Sequence, residues 1–224
     1  MEPMKKKYHY QADLKQDLLA KGIEIICEKG VSALTLKSLA GSLGVTSAAM
    51  YHHYPDKTSL MVAIVSKRLQ ELNTLLEEKA YQPFADDVTQ MFVKAAMLIY
   101  DFCEEHHEFL IILNGDAISN WENYPLLQQS ITQMWRTPLI AVQKAQGEGL
   151  LRAGDSEALL LMAFSSIHGY LSLVFSGKGV LPARIIQNSR RDYFDVACGA
   201  VSTIKANLEN WQQDIKVFEK AVMS

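Results

Sequence analysis

Cysteine is scarce in this 224-residue chain: Cys27, Cys103 and Cys198 are odd in number and far apart. That excludes a disulfide framework and points to a reducing compartment. No run of about 18 uncharged apolar residues is present, so no membrane partner is expected. The richest apolar stretch, Ala158–Phe175, contains Ser165, Ser166, His168 and Ser172 and reads as a buried helix. The opening Met-Glu-Pro-Met-Lys-Lys-Lys lacks an apolar h-region. No cleaved leader is therefore expected, and the expected location is cytoplasmic. No segment alternates cleanly between apolar and polar residues, the signal of a half-buried strand. Nucleophile motif, phosphate loop and paired-carboxylate spacing are missing, so an enzyme is not expected. Asp101, Cys103, Glu105, His106 and His107 are close in sequence, but only Asp101 and Glu105 share a helical face. They read as a solvated helix end; no metal and no cofactor are expected.

Helical periodicity is present nearly everywhere. The first helix is expected over about Gln11–Lys29, with Leu14, Leu18, Ile25 and Ile26 inward and Gly30 ending it. Leu36, Leu39, Ala40 and Leu43 then fall at i, i+3, i+4 and i+7 behind the N-cap Thr35. Gly44 closes that short helix. Thr46 caps a second, Ser47 to about His53, which Pro55 stops. Two-turn helices are unstable alone. Two in succession across a tight turn are a helix-turn-helix signature, which presents its second helix to the DNA major groove.

Further helices are expected over about Asp56–Lys79, Phe84–His106 and Leu126–Gly147, one capped by Asp155 or Ser156 and running through Phe175, and a final one over about Ala183–Trp211. The stretch Asn114–Pro125 is the least regular, and Pro138 should kink or split the helix that contains it. The net charge is −3, but residues 1–60 hold eight Lys+Arg against six Asp+Glu. Basic charge thus gathers at the helix-turn-helix end, as phosphate contacts require.

The residues Glu28-Lys29-Gly30, Leu34-Thr35-Leu36, Leu39-Ala40, Leu43-Gly44-Val45-Thr46, Ala49, Tyr51 and Tyr54-Pro55-Asp56-Lys57 through Leu60 resemble the TetR family of bacterial transcription regulators in order and spacing. A weaker echo lies at Ile167-His168-Gly169-Tyr170. The resemblance implies an all-α fold of about nine to ten helices: an N-terminal three-helix helix-turn-helix DNA-binding domain, then a larger helical ligand-binding and dimerisation domain. The expected boundaries are 1–58, with its core at about 11–58, and 59–224. It further implies a homodimer on double-stranded operator DNA; the helices at about 156–175 and 183–211 carry too much apolar surface for one exposed layer and are expected to join it. The function implied is that of a repressor released by a small-molecule effector. The alternative is a helical interaction module whose helix-turn-helix no longer binds DNA.

For DNA, the candidates are Thr35 and Lys37 at the rim, and Thr46, Ser47, Ala48, Tyr51 and His52 on the recognition helix, with His53 near the backbone. By resemblance Thr35 and Lys57 contact phosphate. Lys57 is also a cation in the first turn of a helix, where it opposes the dipole and invites an external anion. The recognition helix has no Arg, Asn or Gln, so the strongest bidentate base readers are missing. An arm at Lys5-Lys6-Lys7 is a further possibility. For the effector, the candidates are Phe92, Met97, Tyr100, Trp121, Tyr124, Met134, Trp135, Met162, Phe164 and His168. Aromatic and methionine side chains with few polar groups suit a largely apolar or aromatic ligand.

Overall fold

The computed structural model describes residues 12–115, 118–175 and 181–222. Helix α1 (Ala12–Lys29) buries Leu18, Ile25 and Ile26 and stops at Gly30, whose φ of 79° glycine adopts without strain. A single 3₁₀ turn, Val31–Ala33, leads to α2 (Leu36–Leu43). Its cap is reciprocal: Thr35 Oγ1 accepts from the Ser38 N–H at 3.0 Å, and Ser38 Oγ accepts from the Thr35 N–H at 3.2 Å. At Gly44 the backbone turns left-handed, and the Val45 N–H donates back to the Ala40 carbonyl at 3.1 Å. Helix α3 (Ser47–His53) starts under Thr46, whose Oγ1 accepts from the Ala49 N–H at 3.2 Å. Met50, fully buried, anchors α3 in the core. Asp56 then caps α4 (Lys57–Leu76) by accepting from the Ser59 N–H at 2.6 Å.

Helix α4 runs on into a π-helical turn, Glu77–Tyr81. Asp87 caps α5 (Val88–Glu105), and His106 separates it from α6 (His107–Leu113). There follow α7 (Pro125–Gly147), α8 (Ser156–Phe175), α9 (Ala183–Gln187), α10 (Ser189–Ile204) and α11 (Trp211–Val222). Helix α10 packs on α8 and α5, α7 lies against α4 and α8, and α11 rests on α5. Helix α6 touches α1, α4, α5 and α8 together. Among the described residues there is no strand; one isolated bridge pairs Leu151 with Lys205.

Three expectations are corrected. The described residues contain eleven α-helices, because α6 went unnamed, the range expected as one last helix holds α9 and α10, and α11 begins where that helix was expected to end. Asn188 breaks it first, and the regular helix ends at Ile204. There Lys205 turns extended and the Asn207 side chain accepts from the Glu209 N–H at 2.8 Å, a local bond that competes with helix. Leu208, expected inside that helix, is therefore exposed and lies outside any helix. Of the two outcomes expected at Pro138, a kink or a split, the split does not occur: α7 is continuous through it. Helix α8, expected to be buried, has only 22% of its most apolar window buried, and by length and composition it could cross a membrane. The Lys5–Lys7 arm lies outside the described residues.

Burial holds the thiols of Cys103 and Cys198 up at about 12, while Cys27 is exposed and raised less. Iodoacetamide at pH 8 is therefore expected to label Cys27 ahead of Cys103 and Cys198. Peptide mass spectrometry over a time course checks this, and labelling of all three at one rate contradicts it.

Candidate DNA interface and effector cavity

Helix α3 divides cleanly. Met50 points into the core, whereas Thr46, Ser47, Ala48, Tyr51 and His52 are exposed. Tyr51 is 54% accessible, a large side chain held in solvent. His53 is half-buried, and its ring lies edge-on to His52 with centroids 5.4 Å apart. Desolvation, with help from His52 and Lys15, pushes its pKa below the ordinary histidine value. Thr35 and Lys37 are exposed at the start of α2. The Thr35 hydroxyl is already a cap acceptor, which leaves its proton for other contacts; in the free chain that proton goes to Ser38 Oγ at 2.8 Å. Lys57 is half-buried, and its Nζ donates to the Val31 carbonyl at 2.5 Å. That bond ties the α1–α2 turn to α4 and leaves two ammonium protons for an anion.

Two apolar cavities of about 70 and 60 Å³ lie between α4, α5, α7 and α8. Ile99, Met134, Phe164 and Ile167 line both, so the cavities are two lobes that share a wall. The first lobe ends against Phe109, Leu110 and Leu113 of α6 and His168 of α8. The second ends against Leu76, Tyr81 and Pro138, with Phe92 and Trp135 on its sides. Trp135 meets Phe164 edge-on at 4.8 Å, and Phe164 stacks on His168 with ring planes 17° apart.

Of the residues expected to touch an effector, Phe92, Met134, Trp135, Phe164 and His168 line a lobe. Met97 and Tyr100 line neither; both are 1% exposed, and Tyr100 Oη shares a hydrogen bond with Ser189 Oγ at 2.6 Å. Trp121 and Tyr124, half-buried before and at the cap of α7, also line neither. Met162 is 40% exposed on the outer side of α8. The aliphatic half of the lining, including Leu69, Leu72, Ile131 and Ile167, was indistinguishable in sequence from ordinary core.

A buried ion pair not anticipated from sequence connects the two regions. Glu108 of α6 is 1% exposed, and its Oε1 accepts from Arg68 Nε of α4 at 2.7 Å. Arg68 Nη1 also donates to Glu71 at 2.7 Å, and the Cys27 thiol of α1 lies 3.6 Å from Glu108 Oε2. The one available signal was a lone carboxylate opening the run Phe109-Leu110-Ile111-Ile112-Leu113. At the other end of α6, Asn114 Nδ2 donates to Ser172 Oγ at 3.1 Å, and Asn114 Oδ1 lies 3.1 Å from His168 Nε2.

The sequence profile of bacterial regulatory proteins of the tetR family matches residues 18–64, the stretch that holds the capped helix pair. Over those residues the chain carries a tetR-family N-terminal domain. Nucleoid occlusion factor SlmA of Klebsiella pneumoniae (strain 342) is 28% identical to it over 134 residues. That match covers 58% of this chain and 64% of the relative, so the chain spans less than two thirds of it. A protein of unknown function from Rhodococcus sp. RHA1 superposes with a TM-score of 0.66 at 23% identity, covering 85% of this chain and 98% of that one. The tetR-family regulator PfmR from Thermus thermophilus superposes with a TM-score of 0.60 at 21% identity, covering 80% and 96%. These likenesses establish the tetR fold over the larger helical part, which the profile does not reach.

Proposed function

We propose that this chain is a sequence-specific DNA-binding regulator, a homodimeric repressor released from its operator by a small, largely apolar effector. The observation that carries the reading is the outward face of α3. Ser47, Ala48, Tyr51 and His52 are solvent-exposed on a helix whose opposite side is locked by Met50. Small side chains at the start of that helix permit close approach to base edges, and Ala48 offers a methyl to thymine. Lys37, Lys57, Thr35 and Tyr51 surround it as phosphate donors.

The dimer is supported by α8. Leu161, Met162, Ser165, Gly169 and Leu173 form an exposed, uncharged stripe along it. A Cβ at Gly169 or Gly199 would meet nothing within 4 Å, so no contact within the chain explains those glycines; a second copy at close approach does. Leu161→Glu is expected to raise the dimer dissociation constant at least about 100-fold, because two unpaired carboxylates would be buried near the axis. Sedimentation velocity reads this out, and an unchanged dimer moves the interface elsewhere.

The testing experiment is a salt titration of binding to duplex DNA from the chain's own promoter region. Affinity should fall steeply with salt as phosphate counterions are released. Lys57→Ala should weaken specific and non-specific binding together and flatten the slope by about one per reading unit. An unchanged slope removes Lys57 from the phosphate contacts. No preference for any duplex over heparin overturns the whole reading and leaves the interaction-module alternative. A role in nucleoid occlusion is the second reading, favoured by the 134-residue likeness to SlmA. It would show as binding sites spread over the chromosome rather than gathered at promoters.

A further inference from the structure

Helix α3 holds no Asp, Glu, Lys or Arg, so any side-chain charge it brings to DNA near neutral pH is an imidazolium. Its two histidines close the helix side by side. His52 is exposed, His53 is half-buried, and their rings meet edge-on at 5.4 Å. Neither ring is hydrogen-bonded to another described residue, so both keep their nitrogens for an external partner. A cation is favoured in the last turn of a helix, where the free carbonyls gather. Lys15 lies near enough to act on the charge of His53. It is exposed in the first turn of α1, where an ammonium opposes the dipole and invites an anion. No described carboxylate forms an ion pair with it.

In the free chain everything around His53 opposes its proton. Burial acts first, then His52, then Lys15, and no carboxylate is among the groups that act on it. Helix α2, packed against α3, offers only Lys37. Past the buried Tyr54, Asp56 is engaged by the N–H and hydroxyl of Ser59, and Lys57 by the Val31 carbonyl. The free imidazole is therefore held neutral at neutral pH. A phosphate set between His53 and Lys15 reverses the sign, because an anion within reach favours the protonated ring. Docking below neutral pH then takes up a proton, and by linkage the affinity rises as protons become available.

We propose that His53 and Lys15 form a phosphate site at the closing end of α3 that engages as pH falls below neutral, so that the chain holds DNA more tightly in mild acid. This rests on the reading of α3 as the DNA-facing helix and adds a regulation to it. Phosphates carry no base identity, so the site strengthens specific and non-specific binding together.

The test uses the ligand-free full chain and a duplex from its own promoter region, at constant ionic strength. Fluorescence anisotropy from about pH 7.5 to about pH 5.5 should show affinity rising at least about tenfold, the equivalent of a one-unit rise in the pKa of His53 on docking. Calorimetry at about pH 6, in two buffers of different ionisation enthalpy, should read proton uptake on binding. His53→Gln should lose the gain. His53→Arg, charged throughout, should bind at about pH 7.5 as tightly as the parent does at about pH 5.5, with a flat profile between. Lys15→Ala should weaken binding and move the midpoint of the gain to higher pH, because a cation that opposes the His53 proton is gone; a merely structural lysine would leave that midpoint in place. A flat profile in the parent, or a gain that survives His53→Gln, overturns the proposal and leaves the regulator standing. Absence of duplex binding at both ends of the range overturns the regulator and this site together.

Discussion

Glu108→Ala is expected to destabilise the fold by about 3 kcal/mol, the lower end of the range for breaking a buried ion pair. Three observations set that size. Glu108 is 1% exposed, Arg68 Nε reaches it at 2.7 Å, and the Arg68 side chain is itself only 13% exposed. Truncation would leave Arg68 with Glu71, a carboxylate 38% exposed and so a weaker partner. Glu108→Gln keeps the shape and a hydrogen-bond acceptor, and should cost about half as much. The double substitution Arg68→Met with Glu108→Leu removes both charges and their desolvation together, and should return to within about 1 kcal/mol of the parent. Urea unfolding of the four proteins measures these differences. A loss below about 1 kcal/mol for Glu108→Ala would mean that water reaches the site and screens the pair.

The double variant also separates stability from transmission. Helix α6 lines the first lobe with Phe109, Leu110 and Leu113, and through Glu108 it holds Cys27 of α1 and Arg68 of α4. On the proposed function, a ligand that moves α6 would bias the reading unit through this contact, provided it favours one of two arrangements. With both charges gone, the protein is expected to stay folded and bind DNA with its effector response reduced. A full response in the double variant would route the signal through α4 or α8 alone.

The reading unit was legible in sequence because its signals are local. Thr35, Gly44, Thr46 and Asp56 act within three or four residues of themselves, so caps and turn could be assigned from neighbours alone, and each forms the expected bond or turn. The buried side of α4 followed from periodicity: Leu60, Ile64, Leu69, Leu72 and Leu76 are all inward. The cavity was half legible. Aromatic residues stand out in a sequence, so Phe92, Met134, Trp135 and Phe164 could be named, but Met97 and Tyr100 carry the same signal and pack in core. Only the relative placement of α5, α7 and α8 decides which side chains face a void, and that placement is tertiary. Helix α6 was missed because seven residues between a polar run and an irregular loop give too few turns for a period. Its stability comes from the four helices it touches. The Arg68–Glu108 pair spans 40 residues, and nothing local announces it.

Ala48→Glu is expected to lower DNA affinity at least about 100-fold while leaving the fold as stable as before or slightly more so. The two effects have opposite signs for separate reasons. In the free protein Ala48 is exposed in the first turn of α3, where a carboxylate meets the positive end of the helix dipole and gains about 0.3–1 kcal/mol. On DNA the same carboxylate would be desolvated against acceptor-rich base edges and flanking phosphates, with no cation on α3 itself to pair with. In the proposed dimer two such charges would meet one operator, so the penalty would be incurred twice. Ala48→Gln adds nearly the same volume without the charge and supplies a donor. It should lose less affinity and shift the preferred base at the position Ala48 meets. Fluorescence anisotropy on the promoter fragment, with thermal melts of each variant, reads both quantities. If Ala48→Glu keeps its affinity while Tyr51→Ala or Lys57→Ala loses it, the phosphate rim binds DNA without α3 entering the groove, and specificity then comes from duplex shape rather than from this helix.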